Sequence, residues 1–234
     1  MRPSYTVLFY DYMEASPYRI RLSTPTRPPA VLILAGGLSS RMRQEKATLT
    51  IDSKPLIRWT FEAAERISDH VYISVHDDDT INRFKSILPL RATYLTDIEE
   101  GPRSVLLALL SCFPRIQNEY TIIIPVDSPF INEEVFHSMV SKADGFDLVI
   151  PMWPDGRLEA IHAIFNTKTT LPVLNQMWLE RKLEVKEIPK HVKRTLFIST
   201  ESLSESDPTL LSLLDADTPD EFQALKRARS NETV

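Results

Sequence analysis

The run Val31 to Lys46, VLILAGGLSSRMRQEK, constrains this chain more than any other stretch. Val31 to Leu34 has the length and branching of a buried strand. It stops at Ala35-Gly36-Gly37. The whole chain has five glycines, so two adjacent ones mark a place where the backbone turns sharply or lies against a ligand. Successive N–H groups in such a loop form a cradle for anions. Arg41 and Lys46 add positive charge on the same side, which suits a polyphosphate. An ordinary strand–turn–helix junction would use the glycines but would not require Arg41 and Lys46.

Other phosphate motifs do not fit. No Gly-Lys-Ser/Thr triplet follows the glycines, which excludes a P-loop. No G-x-G-x-x-G occurs, which excludes the dinucleotide fingerprint. The formal net charge of -5 argues against bulk nucleic-acid binding. No apolar stretch approaches the roughly 20 residues needed to span a bilayer, so no membrane role is expected. The single cysteine, Cys112, excludes an internal disulfide framework and suits a reducing cytoplasm. Its apolar surroundings, Val105 to Phe113, mark a structural thiol.

Apolar strands alternate with amphipathic segments along the chain, which predicts an α/β fold with a mainly parallel sheet. Residues 1–29 form an N-terminal arm ahead of a domain over 30–234. Thr6 to Tyr10 can be a short strand, and the arm ends proline-rich. It reads equally as an added arm, an edge strand or the product of an upstream start codon. Pro55 opens a helix with Leu56, Ile57, Phe61, Ala64 and Ile67 at helical spacing. Val71 to Val75 is a strand, followed by His76 and the acidic triplet Asp77 to Asp79, expected as a solvated loop or helix start. A helix over Thr80 to Ile87 and a strand over Ala92 to Leu95 come next. Val105 to Phe113 is expected to be a largely buried helix, and Thr121 to Val126 a central parallel strand. Asn132 caps the next helix. Leu148 to Met152 and Leu158 to Phe165 read as strands joined at the Asp155-Gly156 turn. His162 lies in the latter, LEAIHAIF, and is open to two readings, a packed core histidine and a ligand contact. Trp153 and Trp178 read as core. The basic concentration from Arg181 to Arg194 is either a solvated helical face or a patch for an anionic substrate or acidic partner. Thr218, Pro219 and Glu221 form a capping box for the last helix.

Leu34, Ala35, Gly36, Gly37, Leu38, Ser39, Ser40, Arg41, Met42, Arg43, Gln44, Glu45 and Lys46 resemble the signature loop of the MobA-like nucleotidyltransferases, L-A-G-G-x-x-x-R-M-G-x-D-K. Arg43 replaces the usual glycine and Glu45 the usual aspartate. Gly101-Pro102 resembles the family's G-P-L-x-G, with Val105 at its last glycine. Pro125-Val126-Asp127-Ser128-Pro129 resembles its P-x-D-x-P. Asp215 to Phe222 resembles N-x-N-T-P-E-D-L, with Asp215 and Asp217 replacing both asparagines. The likeness covers residues 30 to 229.

The resemblance implies a Rossmann-like nucleotidyltransferase fold with helices on both faces of the sheet, closest to the molybdenum cofactor guanylyltransferases. It implies transfer of GMP from GTP to the phosphate of molybdopterin with release of pyrophosphate. By the same likeness, Leu34, Ala35, Gly36 and Gly37 cradle the nucleotide phosphates. Arg41 and Lys46 counter the charge on the leaving pyrophosphate. Asp127 holds Mg²⁺, Asp97 accepts from the guanine edge, and His76 contacts the base. Asp215 and Asp217 are secondary candidates for metal or acceptor contact, at a strand end opposite Asp127. A partner protein that delivers or receives the cofactor is a further expectation. Two rivals stay open. One is a related enzyme with another nucleotide or acceptor, such as a cytidylyltransferase or a sugar-phosphate enzyme. The other is a nucleotide-binding homologue that has lost catalysis, for which Arg43, Glu45 and Val105 speak.

Overall fold

The computed structural model describes residues 6–9, 27–36, 45–98, 101–216 and 218–232. In chain order its elements are β1 (Thr6–Phe9), β2 (Ala30–Leu34), β3 (Thr50–Ile51), β4 (Lys54–Pro55), α1 (Leu56–Ile67), β5 (Val71–Val75), α2 (Asp78–Lys85), β6 (Thr93–Thr96) and α3 (Val105–Cys112). There follow β7 (Tyr120–Pro125), α4 (Glu133–Val140), β8 (Leu148–Met152), β9 (Ile164–Asn166), α5 (Thr167–Leu179), β10 (Arg194–Ser199), α6 (Thr200–Leu203) and α7 (Pro219–Glu232).

Eight strands form one sheet in the order β1-β10-β8-β9-β7-β2-β5-β6. Seven of them come from the chain after Ala30, and β1 adds itself in parallel to β10 at the edge. Only β9 runs antiparallel, wedged between β7 and β8. From β2 the chain winds outward through β5 and β6, then crosses back to β7 on the other side of β2. The order therefore reverses between β2 and β7, and the crevice at their carboxyl ends is where open α/β sheets bind ligands.

Side-chain alternation along β2 explains the two layers of helices. Val31 and Ile33 point into one apolar cluster with Ile57 and Phe61 of α1, Phe84 of α2 and Phe136 of α4. Ala30 and Leu32 point into another, with Leu106 and Leu109 of α3 and Leu174 and Met177 of α5. All four β2 residues are fully buried, as strands covered on both faces must be. A third cluster, including Ile51, Leu56, Ala216 and Phe222, seats α7 on the β3–β4 hairpin. That hairpin turns at Asp52 and Ser53, whose φ values of 51° and 62° match a two-residue turn of the primed type.

Local expectations shift at several points. Pro55 is the residue before the helix rather than its first residue, and it ends β4. Of its two readings, the acidic triplet takes the helix start. Asp77 caps α2 by accepting from the Thr80 amide at 2.8 Å, and Asp78 and Asp79 fill the first turn, where carboxylates face the positive end of the helix dipole. LEAIHAIF is mostly irregular, because Leu158 makes a single antiparallel bridge to Met152 and pairing resumes only at Ile164. Burial pushes the Cys112 thiol up to about 12, as befits a structural cysteine. Of the six Arg181–Arg194 cations, Lys182, Lys186 and Lys190 pair with Glu180, Glu184 and Glu187 at 2.6–2.7 Å, so half of the local positive charge is compensated. No helix among the described residues is long and apolar enough to cross a membrane.

Candidate functional site

The carboxyl ends of β7, β2, β5 and β6 meet at one rim of the sheet. Backbone hydrogen bonds stitch them together. The Val126 amide donates to the Leu34 carbonyl at 3.1 Å, the Ala35 amide to the Ser74 carbonyl at 3.0 Å, and the Asp97 amide to the Val75 carbonyl at 3.0 Å. Leu34, Ala35, His76, Asp97 and Asp127, far apart in sequence, therefore lie along one edge.

At the β2–β7 junction the Lys46 ammonium donates to Asp127 Oδ2. The side chains are 14% and 8% exposed, so two opposite charges neutralise each other at the crevice wall. Lys46 opens a single 3₁₀ turn, Lys46–Thr48, which Ala47 anchors in the core. Just before it, Glu45 takes a bidentate hold on Arg83 of α2, at 3.1 and 3.2 Å. The longer acid at a position where aspartate was the expectation thus has a structural use, since it ties the end of the signature loop to α2.

One strand over, Asp97 and His76 face each other across the end of β5, with His76 Nδ1 3.7 Å from Asp97 Oδ2. That is too long for a hydrogen bond, and His76 Nδ1 is buried without a hydrogen-bond partner among the described residues. Ser74 Oγ donates weakly to Asp97 Oδ1 at 3.4 Å. Burial pushes the Asp97 carboxyl above its ordinary value of 3.8, against opposing pulls from His76, Ser74 and Arg103. Gly36 sits beside this pair. Its φ is not positive, so the turn does not demand glycine. A Cβ there would stand 3.7 Å from Asp97 Oδ2 and 3.4 Å from the His76 amide. Both are ordinary contact distances, so a Cβ at Gly36 would rest against the Asp97 carboxylate without a clash.

A raised folded-state pKa has a definite sign in stability. The folded chain then binds the Asp97 proton more tightly than the unfolded chain does. Stability rises as pH falls through the raised value toward 3.8, and falls as pH rises through the same window. Asp97→Asn is expected to melt above the parent protein at pH 7, with the difference closing below pH 3.8. Thermal melts across that range check it, and an unchanged or lowered melting temperature at pH 7 sinks it.

Gly101 is held where other residues fit poorly. Its φ is +106°, and a Cβ would come within 2.6 Å of the Trp178 ring. Trp178, on α5, thereby seats the Gly101-Pro102 segment that leads into α3, where Ser104 caps the helix through the Leu107 amide at 3.1 Å. Gly101→Ala is expected to cost about 1–3 kcal/mol, read by urea denaturation. A variant as stable as the parent would show that Trp178 yields freely.

Gly37, Arg41 and Asp217 lie outside the described residues. Asp215 is half-buried and follows a 3₁₀ turn, Leu211–Leu213, rather than a strand end. The chain bends there to bury Leu213 and Ala216 in separate clusters. A cleft of about 440 Å³ opens beyond Pro129, between Trp59, Phe130 and Glu133. Neither Lys46 nor Asp97 borders it, so it is not the rim site. Among the described residues no three metal-ligating side chains converge.

The family model of the MobA-like NTP transferase domain matches residues 31–195, well over half of the chain. This chain belongs to that family. The "Probable molybdenum cofactor guanylyltransferase" of Methanosarcina acetivorans is 25% identical over 208 residues, covering 86% of this chain and 91% of the relative. Its namesake in Natranaerobius thermophilus is 26% identical over 200 residues, covering 85% and 95%. Among solved structures, molybdopterin-guanine dinucleotide biosynthesis protein A from Archaeoglobus fulgidus superposes with a TM-score of 0.75 at 20% identity, covering 86% of this chain and 99% of that one. The 2-C-methyl-D-erythritol 4-phosphate cytidylyltransferase from Thermus thermophilus superposes at 0.60 and 16% identity, covering 86% and 98%. Those two likenesses are of fold.

In this MobA-like domain the rim brings together Leu34, Ala35, Gly36, Lys46, His76, Asp97 and Asp127. Nothing in the sequence signals the Lys46–Asp127 contact beyond two motifs of opposite charge. The hydrogen bond between Ser128 and His162, 34 positions apart, is likewise visible only in the fold. The Gly101–Trp178 contact had one legible signal, a lone glycine ahead of a proline.

Proposed function

We propose that this MobA-like domain transfers GMP from GTP to the terminal phosphate of molybdopterin. An oxygen of the acceptor phosphate attacks the α-phosphorus of GTP. The bond from the α-phosphorus to the bridging oxygen breaks, and pyrophosphate leaves with the electron pair. The observation that carries this reading is the Lys46–Asp127 pair at the strand-order reversal, with the half-buried Asp97 farther along the same rim. The names borne by the curated relatives favour the guanine nucleotide and the molybdopterin acceptor.

The chemistry asks the protein mainly for positioning and charge. The Leu34–Gly37 backbone lines the phosphates. Lys46 exchanges Asp127 for the β- and γ-phosphates and meets the charge that develops on the leaving group, with Arg41 as a second cation. Asp97 accepts from the N–H groups of guanine, and His76 borders the base. One buried carboxylate, with phosphate oxygens and water to complete the shell, is an ordinary setting for Mg²⁺, so Asp127 fits as its protein ligand. Mg²⁺ there supplies charge neutralisation at the α-phosphate. An already ionised acceptor phosphate needs no general base. A protein that supplies or receives the cofactor is the partner this reaction calls for, and a buried single cysteine suits work in the cytoplasm.

The test is pyrophosphate release with Mg²⁺ and each of GTP, CTP, UTP and ATP, with and without molybdopterin. Release with GTP and molybdopterin alone is the expected result. Release with CTP instead would move the base preference while keeping the chemistry. Tight nucleotide binding without release from any pair would overturn transfer and leave a nucleotide-binding homologue.

A further inference from the structure

Next to Asp127 stands Ser128, which is fully buried. Its amide closes a tight turn onto the Pro125 carbonyl at 3.2 Å, and its hydroxyl lies 2.9 Å from Nε2 of His162. His162 is also fully buried. It belongs to the irregular segment between β8 and β9, whose next residue, Ala163, accepts from the Ile123 amide of β7 at 2.9 Å. On its other side, His162 Nδ1 stands 4.0 Å from Glu159 Oε2. Glu159 is itself held by Arg157 at 3.0 Å and by the Trp153 indole N–H, while Arg157 stacks over Trp153 at 4.7 Å.

Burial keeps this imidazole neutral, with its pKa lowered to about 3. A neutral ring has one N–H and one bare nitrogen. Placing the proton on Nδ1 turns it toward the Glu159 carboxylate. The opposite tautomer would set a lone pair against that negative charge. Nε2 then accepts, and the Ser128 hydroxyl donates. The half-buried Trp153 and the exposed Arg157 thus hold Glu159 4.0 Å from the imidazole that hydrogen-bonds the residue beside Asp127.

We propose that Ser128 and His162 form a buried strut that positions the Asp127 carboxylate and joins it to the β8–β9 segment. They are positioning residues, since neither is placed against substrate. The inference rests on the role proposed for Asp127 above. The strut's purpose follows from the neighbourhood. A carboxylate that must exchange an ammonium for a cation and phosphates needs a backbone that does not move with it. Beyond the turn that the Ser128 amide closes, the Asp127–Pro129 loop belongs to no helix or strand. Groups that orient a ligating side chain typically change metal affinity or activity 10- to 100-fold when removed.

The test compares Ser128→Ala, His162→Leu and His162→Gln in the full chain. Three readouts are hydrogen–deuterium exchange of the segment 125–130, Mn²⁺ titration in the presence of GTP, and kcat against KM for GTP. Ser128→Ala and His162→Leu are expected to speed exchange in 125–130. They should raise the Mn²⁺ midpoint about tenfold and lower kcat about tenfold, with KM for GTP changed less than about threefold. His162→Gln, whose amide carbonyl can accept from Ser128, should recover most of each loss. The double variant Ser128→Ala/His162→Leu should be no worse than the worse single one. Unchanged exchange and an unchanged Mn²⁺ midpoint in Ser128→Ala overturn the strut. So does a loss of melting temperature with neither of those changes, which marks a purely structural pair. Should His162→Leu fail to fold, Ser128→Ala still decides, because it removes one atom. If the parent protein binds no Mn²⁺–GTP at all, the transferase reading fails, while the exchange measurement still rules on the strut.

Discussion

Lys46→Ala is expected to leave a folded protein that releases pyrophosphate about 10²–10³-fold more slowly, the range seen when one preorganised charge-stabilising group is removed from a transition state. Asp127→Ala should fall at least as far. The two losses should not add, because each residue is the other's partner in the resting site and both act on the same phosphates in the reaction. A double variant close to the worse single one is the expected pattern. Stability moves as well. Either single change takes the opposite charge away from one whose side chain was 8–14% exposed. That lies between a surface pair, which contributes little, and a sealed one, so a loss of about 1–3 kcal/mol is expected. The double variant should recover part of it, since both charges are then gone. Circular dichroism, urea melts and pyrophosphate release on the three variants check both halves. Parental turnover in a folded Lys46→Ala would remove Lys46 from the chemistry, and in a folded Asp127→Ala it would remove the metal assignment.

Phe165→Ala carries the largest expected structural effect. Phe165 is 1% exposed on β9, the one antiparallel strand, in register with Thr121 of β7 and Leu148 of β8. Its ring meets Phe113 edge-on at 6.0 Å and 61°, a geometry that adds to plain burial. Truncation leaves a cavity beneath a three-residue strand. A loss of about 3–5 kcal/mol is expected, visible as a urea midpoint lowered by about 1 M or more with an unchanged slope. Phe165→Leu should recover more than half of that loss, because it restores volume without the edge contact. A Phe165→Ala variant within 1 kcal/mol of the parent would mean that the strands on either side close up over the gap.

What the sequence alone determined about this protein is everything that short-range chemistry can write. VLIL reads as a strand buried on both faces, and it is one. Thr218 and Glu221 cap the last helix reciprocally, at 2.8 and 3.2 Å, as their spacing predicts. Asn132 caps α4 through the Glu134 amide at 2.9 Å. The alternation of apolar strands with amphipathic helices sufficed for a doubly covered, mainly parallel sheet. Each of these rests on residues within a few positions of one another, where backbone geometry ties spacing to contact. The tertiary structure alone decided which distant segments share a rim. Lys46 reaches Asp127 across 81 positions, and Ser128 reaches His162 across 34. Both depend on the crossover that returns the chain to β7, and the second also on the antiparallel insertion of β9. His162 had two readings in the sequence because an apolar neighbourhood says that a side chain is buried, not what it is buried against. Register and strand order answer that second question, and they are set by the packing of the whole sheet.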